Sequence, residues 1–410
     1  MGDLVRVPFG AGAALAQCPD AFPGLPQERC RGWSETRRLW WQLWRSCPGV
    51  GWSRLTALER HCGDLEAAWS APLERLAGVP GMGRAVLLQV SAHRQRWGPN
   101  PLAGARPKFR SGGPVLLPGD PAFPSSLLEL DRPPLALHWR GHGALWPCLR
   151  RRLAVAVVGT RRPSRHGLAM ARALGMALAE AGWPVVSGLA EGIDAAAHGG
   201  CLAQAGRPVA VLGTPLERTY PRHHGSLQRQ VGERGLLITE QAAGAGVRPG
   251  NFAARNRLQV ALSRAVVVVE CPQASGALHS ASLAWDQGLP LWVVPADAGK
   301  LTATGSNRLL AQGASPLLEP ADLIRQLGPG PLADARRSAG TPASDLRSGV
   351  VPLSLGRDQM ELLQVLGPGA CLEELCSGLG RPAPEVASLL LDLELAGRVL
   401  AEPGLSWRPL

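Results

Sequence analysis

Residues 155–198 read VAVVGTRRPSRHGLAMARALGMALAEAGWPVVSGLAEGIDAAAH. The apolar run Leu153–Val158 is rich in Val and Ala and carries no charge, as expected of a strand buried on both faces of a parallel sheet. It ends at Gly159. A polar turn follows, Thr160-Arg-Arg-Pro-Ser164-Arg165, with three guanidinium groups. Leu168, Ala171, Leu174 and Leu178 then recur at helical spacing until Gly182. A second strand, Pro184–Ser187, leads into Gly188-Leu-Ala-Glu-Gly192-Ile-Asp194 and a second helix. Both turns open at the carboxyl end of a strand, where open α/β sheets bind ligands.

Glycines let backbone N–H groups approach an anion, and a helix N-terminus adds partial positive charge. Arg161, Arg162 and Arg165 supply forked donors suited to phosphate. The turn matches neither the dinucleotide fingerprint nor a P-loop. A phosphate site is the functional reading of these arginines; a solvated face is the plainer one. Gly182 and Gly192 are read only as turn formers.

The same pattern recurs downstream. Apolar strands are expected at Ala154–Val158, Pro184–Ser187, Val209–Leu212, Leu236–Thr239, Ala265–Val269, Leu291–Val294 and Ser315–Leu318, most of them separated by helical stretches. Regular spacing of this kind predicts a doubly wound, mostly parallel α/β sheet over residues 115–327. Val115–Gly141 is Pro-punctuated and extended, and is expected to cap that domain.

Upstream, residues 1–28 are Pro/Gly/Ala-rich and read as a disordered tail. Residues 29–97 read as a helical module, with two similar turns, Cys47-Pro-Gly-Val-Gly51 and Val79-Pro-Gly-Met-Gly83, of the helix-hairpin-helix (SAM-like) kind. Either these turns present N–H groups to DNA phosphates or they serve packing. Residues 98–114 read as loop. Residues 328–356 read as a linker. Residues 357–410 follow the order helix, helix, helix, hairpin, with the hairpin turning at Pro403-Gly404: a winged-helix-like module. That module holds four Arg against eight Asp/Glu, which favours a protein-facing or regulatory role over phosphate contact.

The 410 residues carry a net charge of +11, which favours a polyanionic partner. From Arg151 to Gln326 there are eighteen Lys/Arg against eleven Asp/Glu. Nine scattered cysteines fit buried thiols in a reducing cytoplasm better than a disulfide framework. No apolar run suits a membrane span, and Asp3, Pro8 and Gly10 argue against an export signal. Asp194 and His198, at i and i+4, could be an acid–base pair or half a metal site, but a capping Asp and a packed His suffice. Glu240 and Glu270 end strands and could act as bases. Exposed aromatics are few, so DNA affinity is expected to come mainly from phosphates and to be sequence-tolerant.

Taken in order, several motifs resemble the DNA-processing protein A (DprA/Smf) family. They are Val158-Gly-Thr-Arg161 with Ser164 and Gly167, Val186-Ser-Gly-Leu-Ala-Glu-Gly-Ile-Asp194 with His198, and Ala210-Val-Leu-Gly213. Tyr220-Pro221, Arg255-Asn-Arg257, Ser275-Gly276-Ala-Leu278 and Gly305-Ser-Asn307 continue the series. The resemblance implies an extended Rossmann-like domain that binds single-stranded DNA, forms a homodimer and hands strands to RecA recombinase during natural transformation. Single-strand-binding protein is a further candidate partner. Neither catalysis nor a cofactor is implied. On this basis Gly159, Thr160, Arg161 and Ser164 fall in a phosphate-gripping turn. Arg222, Arg248 and Lys300 are basic pocket positions. Ser187, Gly188, Ser275 and Gly276 line the pocket. Arg255, Asn256 and Arg257 form the Arg-Asn-Arg motif, although either arginine could instead be a buried structural ion pair. The chain departs from the family at His223-His224, at Phe252-Ala-Ala-Arg255, which lacks a proline, and at Pro295-Ala296. Two other readings stay open: a nucleotide hydrolase or phosphoribohydrolase on a related fold, and an adaptor working through the tryptophan-rich helical module and the acidic tail.

Overall fold

A computed structural model describes residues 32–110, 113–333, 356–402 and 405–409. The expected tail 1–28, most of the expected linker and the Pro403-Gly404 turn lie outside the described residues.

The chain begins with α1 (Glu35–Arg45), α2 (Trp52–Cys62), α3 (Leu65–Ser70), α4 (Leu73–Ala77), α5 (Arg84–Trp97) and α6 (Pro101–Arg110). Trp40, Trp41, Trp44 and Trp69 are buried in the core of this module, with Leu43, Leu55, Leu58 and Leu76. The two glycine-containing turns lie side by side. The Arg54 guanidinium donates to the Gly49 carbonyl and the Gly81 carbonyl, both at 2.7 Å. Residues 98–114, expected as loop, mostly form α6. Proline costs nothing at a helix start, where its missing N–H would be unpaired anyway. Leu102, Ala105 and Phe109 then fall on one face against the module's core, and this burial outweighs the interior Pro107.

The body is a sheet of β1 (Val115–Leu116), β2 (Leu137–Gly141), β3 (Val155–Val158), β4 (Val185–Ser187), β5 (Pro208–Leu212), β6 (Leu236–Thr239), β7 (Ala265–Val268), β8 (Leu291–Val293) and β9 (Ser315–Pro316). Their spatial order is β1-β2-β6-β5-β4-β3-β7-β8-β9. The run from β6 to β9 is parallel, and the order reverses at β3. Helices connect the strands: α7 (Trp146–Arg150), α8 (Arg165–Glu180), α9 (Ile193–Ala203), α10 (Gly225–Arg234), α11 (Pro249–Ala261), α12 (Gly276–Asp286), α13 (Thr304–Ala311) and α14 (Pro320–Leu327). Alternation along β3 sorts them. Val155 and Val157 pack with α8, α9 and α14, whereas Ala156 and Val158 pack with α11, α12 and α13. Helices therefore cover both faces. The stretch expected merely to cap the domain supplies β1 and β2, which lengthen the sheet in antiparallel sense. Its prolines lie between the strands, where a ladder loses nothing to them.

The helical module rests on this added edge. The Trp41 indole donates to the Leu135 carbonyl at 2.8 Å, and Arg38 pairs with Asp120. At the other end of the chain come α15 (Arg357–Leu366), β10 (Ala370–Cys371), α16 (Leu372–Leu379), α17 (Ala383–Leu395), β11 (Val399–Glu402) and β12 (Ser406–Pro409). They form a winged-helix-like unit with an antiparallel sheet β10-β12-β11. Val386, Leu390 and Leu393 of α17 share one apolar cluster with Trp139, Leu145 and Trp146 of the body. The last helix of the unit thus packs inward through its apolar face.

The α8–α9 crossing is the tightest contact between the body's helices. A Cβ on Gly175 would lie 2.1 Å from the Ala197 carbonyl oxygen, and one on Gly200 would lie 2.1 Å from the Arg172 carbonyl oxygen. Both neighbours are backbone and cannot rotate away. Gly200→Val is expected to cost about 1–3 kcal/mol or more, the scale of overpacking, read as a lowered urea midpoint. Wild-type stability would refute this account of the crossing.

Candidate nucleic-acid interface

The sequence-predicted positions separate into two groups: buried residues that build the carboxyl edge of the sheet, and exposed cations and rings that lie on it.

Arg255 belongs to the first group. It is 6% exposed, and α11 directs it beneath the turn after β4. One nitrogen donates to the Val211 carbonyl at 2.6 Å, Nε donates to Asn256 Oδ1 at 3.1 Å, and Nη2 stands 3.6 Å from Asp194 Oδ2. Asp194 also accepts from the Gly188 amide at 3.1 Å. Burial pushes Asp194 up and Arg255 down in pKa, and each offsets this in the other. Gly188 is required here, because a Cβ would overlap the guanidinium. Ser187 is fully buried and donates to the Val157 carbonyl at 2.7 Å. His198 is buried against the Val209 carbonyl at 3.3 Å, and burial pushes its pKa down to about 4. It stays neutral at pH 7, and Asp194 acts with Arg255 rather than with His198.

The turn after β3 is fixed by its backbone. The Thr160 amide donates to the Glu270 carbonyl at 2.7 Å, and the Thr160 carbonyl accepts from the Ile193 amide at 3.3 Å. Ser164 caps α8 and donates from its hydroxyl to Glu270 Oε2 at 2.7 Å. Lys300 donates to Ser164 Oγ at 2.9 Å and stands 3.8 Å from Glu270 Oε1. Burial raises the Glu270 pKa, but hydrogen bonds from Thr302 and Ser164, with the Lys300 charge, outweigh it and leave a net lowering. Arg257 is similarly engaged, bonding Glu240 Oε1 at 2.6 Å. Asn256 donates to the Gly276 carbonyl at 3.2 Å, and Ser275 caps α12. Three carboxylates at this edge, Asp194 at the start of α9 and Glu240 and Glu270 after β6 and β7, are thus each paired with a cation.

The second group lies above this layer. Arg161, Arg222 and Arg248 are exposed. The Arg161 guanidinium sits 5.7 Å from the centre of the Phe252 ring, and Phe252 lies 4.8 Å from Tyr220, which is 45% exposed. Arg248 is the N-cap of α11, four residues before Phe252. Arg222 opens a short 3-10 turn, Arg222–His224, fastened over the turn after β4. His224 Nδ1 is 2.9 Å from the Leu189 carbonyl oxygen, and His223 stands 3.4 Å from Glu191. Of the two histidines that depart from the family pattern, His224 thus ties the turn that carries Arg222 to the turn after β4. From the sequence Tyr220 and Phe252 stand only among the domain's few rings and beside its basic turns, not among the expected DNA-binding positions. The available signal was that the chain's one tyrosine directly precedes Pro221 and the basic turn.

The fold and this edge define a class: an α/β protein with a cationic, aromatic-floored surface at its strand ends, flanked by a helical module and a winged-helix-like unit. Comparison with known proteins narrows it. Residues 114–328 match the family model described as DNA recombination-mediator protein A, and residues 349–404 match the DprA winged helix domain. The chain is 31% identical to Protein Smf of Synechocystis sp. over 92% of its own length and 99% of that protein's. It is 34% identical to Protein Smf of Escherichia coli over 70% of its own length and 76% of that protein's. The X-ray structure of DprA from Streptococcus pneumoniae superposes with a TM-score of 0.59 at 26% identity, covering 70% of this chain and 96% of that one. The chain belongs to the DprA/Smf family.

The lowered Glu270 pKa gives a pH test. A carboxyl held below its usual 4.5 adds stability that is fully present above that pH and is lost as pH falls through the folded-state value. Glu270→Gln is therefore expected to be less stable than wild type at pH 7, with the gap closing on acidification below about pH 4.5. A gap that stayed constant or widened in acid would contradict the network.

Proposed function

We propose that this chain is a single-stranded-DNA-binding recombination mediator. In this reading the sheet is an extended Rossmann-like, doubly wound one, and the strand crosses its carboxyl edge near the reversal at β3. The supporting observation is the set Arg161, Arg222 and Arg248 around the Tyr220–Phe252 pair. Among the described residues these arginines have no carboxylate partner, so their charge is available to phosphates. Aromatic faces need unpaired bases to stack on, which favours single strands over duplex. Phosphates then supply sequence-tolerant affinity. Arg255, Ser187, Gly188, Ser164 and Lys300 act beneath the strand as supports. Gly159, Thr160, Asn256, Arg257, Ser275 and Gly276 shape the turns around it.

The finer parts of the reading follow from family membership: loading of RecA recombinase onto incoming strands during natural transformation, assembly as a homodimer, and work in the cytoplasm. Leu301 and Leu318, which follow β8 and β9, leave 81% and 70% of their surface exposed, apolar area that self-association would cover. Among the described residues no helix is long and apolar enough to cross a membrane. Of the carboxylates that could serve a hydrolase as a base, Glu240 and Glu270 are ion-paired with Arg257 and Lys300. Among the described residues no cluster of His, Cys, Asp or Glu could hold a metal ion. The adaptor alternative has less surface to work with, because Trp40, Trp41, Trp44 and Trp69 are buried in their own module.

Anisotropy titrations of labelled oligodeoxynucleotides test this. Arg161→Ala and Arg222→Ala are each expected to weaken binding for every base composition and to flatten the salt dependence by about 0.7 in slope. Tyr220→Ala is expected to lose about 1–3 kcal/mol. Arg255→Ala is expected instead to lose about 3–5 kcal/mol of folding stability, by stranding Asp194. Unchanged affinity in all three surface variants would overturn the proposal.

A further inference from the structure

A cleft of about 1240 Å³ lies between the helical module and the sheet edge. Its walls come from α1, from both glycine-containing turns, from the segment before β2 and from the residues after β6. Four arginines line it, Arg45, Arg54, Arg60 and Arg132, against two carboxylates, Asp131 and Glu240. Glu240 is already bonded to Arg257 at 2.6 Å. None of the four arginines has a carboxylate partner among the described residues.

Arg45 is the most demanding of them. Its Nε is buried without a hydrogen-bond partner. Among the described residues its one side-chain hydrogen-bond partner is His138, at 3.4 Å. Burial first, and the Arg45 charge second, push the His138 pKa down to about 4, so the imidazole is neutral and cannot compensate the guanidinium. A desolvated cation without a counter-charge is costly, and an anion in the cleft would relieve that cost. The N-terminus of α2 adds to the demand. Gly51 precedes it without a side-chain cap, its first turn has no acidic residue, and Gly51 and Trp52 both line the cleft. Trp52 is half-buried, an aromatic surface beside the cations.

The cleft adjoins the surface described above. Glu240 follows β6 at the carboxyl edge, and its partner Arg257 lies on α11 next to Asn256. A strand on Tyr220 and Phe252 that continued past α11 would meet the Glu240–Arg257 pair and then Arg45. We propose that this interdomain cleft is a second single-stranded-DNA segment, taking the phosphates and a base of the nucleotides that leave the strand-end surface. The inference rests on the single-strand reading and extends it: the helical module becomes half of a longer binding track. Arg45 and the α2 N-terminus take a phosphate, Trp52 a base, and Arg60 and Arg132 the flanking phosphates. Acidic peptides share the charge but lack the flat ring for Trp52, which favours nucleic acid.

The test uses the full chain and two oligodeoxythymidylates, one of on the order of six nucleotides and one of on the order of twenty, a range that brackets single-strand site sizes. Arg60 and Arg132 are exposed, so the Arg60→Ala, Arg132→Ala double variant is expected to fold normally, checked by its thermal melt. It should bind the short strand as wild type does. For the long strand it should lose roughly tenfold in affinity, with a salt slope flatter by about 1.4, two phosphate contacts' worth. Equal losses for both lengths, or none for the long one, would overturn the proposal. So would displacement of the long strand from wild type, but not from the double variant, by polyglutamate at equal charge, which would mark a peptide site. Arg161→Ala separates the two readings. If it leaves both strands bound at wild-type affinity while the double variant still loses the long one, the strand-end reading fails and the cleft stands.

Discussion

The strand-end surface depends on one buried cation. Arg255 occupies the space that a side chain at Gly188 would fill, anchors the end of β5 through the Val211 carbonyl, and faces Asp194 across 3.6 Å. Burying such a pair gives little net stability, because desolvation offsets most of the attraction. Its return is geometric. It ties α11, the turn after β4 and the start of α9 into a single unit, so Phe252, three residues before Arg255, is held where Arg161 and Tyr220 reach it. The Glu270 network does the same work on the other side of β3, with Ser164 and Lys300 sharing one carboxylate. The carboxylates of the layer below are engaged by Arg255, Arg257 and Lys300, which leaves the exposed arginines without a carboxylate partner among the described residues.

Much of this was legible in the chain. Strands buried on both faces are uninterrupted apolar runs, and the expected strands from β3 to β8 fall within a residue or so of where the sheet places them. The order of the C-terminal helices and of the hairpin strands was equally plain, but β10, two residues long, was not expected and forms only because β12 pairs with it. What escaped was what depends on distant partners. β1 and β2 are short and proline-flanked, and they become strands only because β6 offers them an edge. α6 contains a proline and forms because the tryptophan core gives its apolar face something to cover.

The site was legible in kind more than in role. The sequence could mark Arg161, Arg222, Arg248 and Arg255 as basic positions, but it could not sort the three that face solvent from the one that is buried. That difference is set by a carboxylate 61 residues away in the chain, Asp194, and by the absence of a side chain at Gly188. Nor could composition reveal that two scattered rings, Tyr220 and Phe252, meet at 4.8 Å. Of the three exposed arginines, Arg161 lies over that ring pair, 5.7 Å from the centre of Phe252.

The most direct measurement is photo-crosslinking. A single strand of halogenated deoxyuridine, irradiated on the full chain and mapped by peptide mass spectrometry, reports which rings its bases touch. The account predicts adducts on Tyr220 and Phe252, with none in the winged-helix-like unit. Adducts confined to residues 356–409, with Tyr220 and Phe252 unmodified at saturating strand, would contradict it.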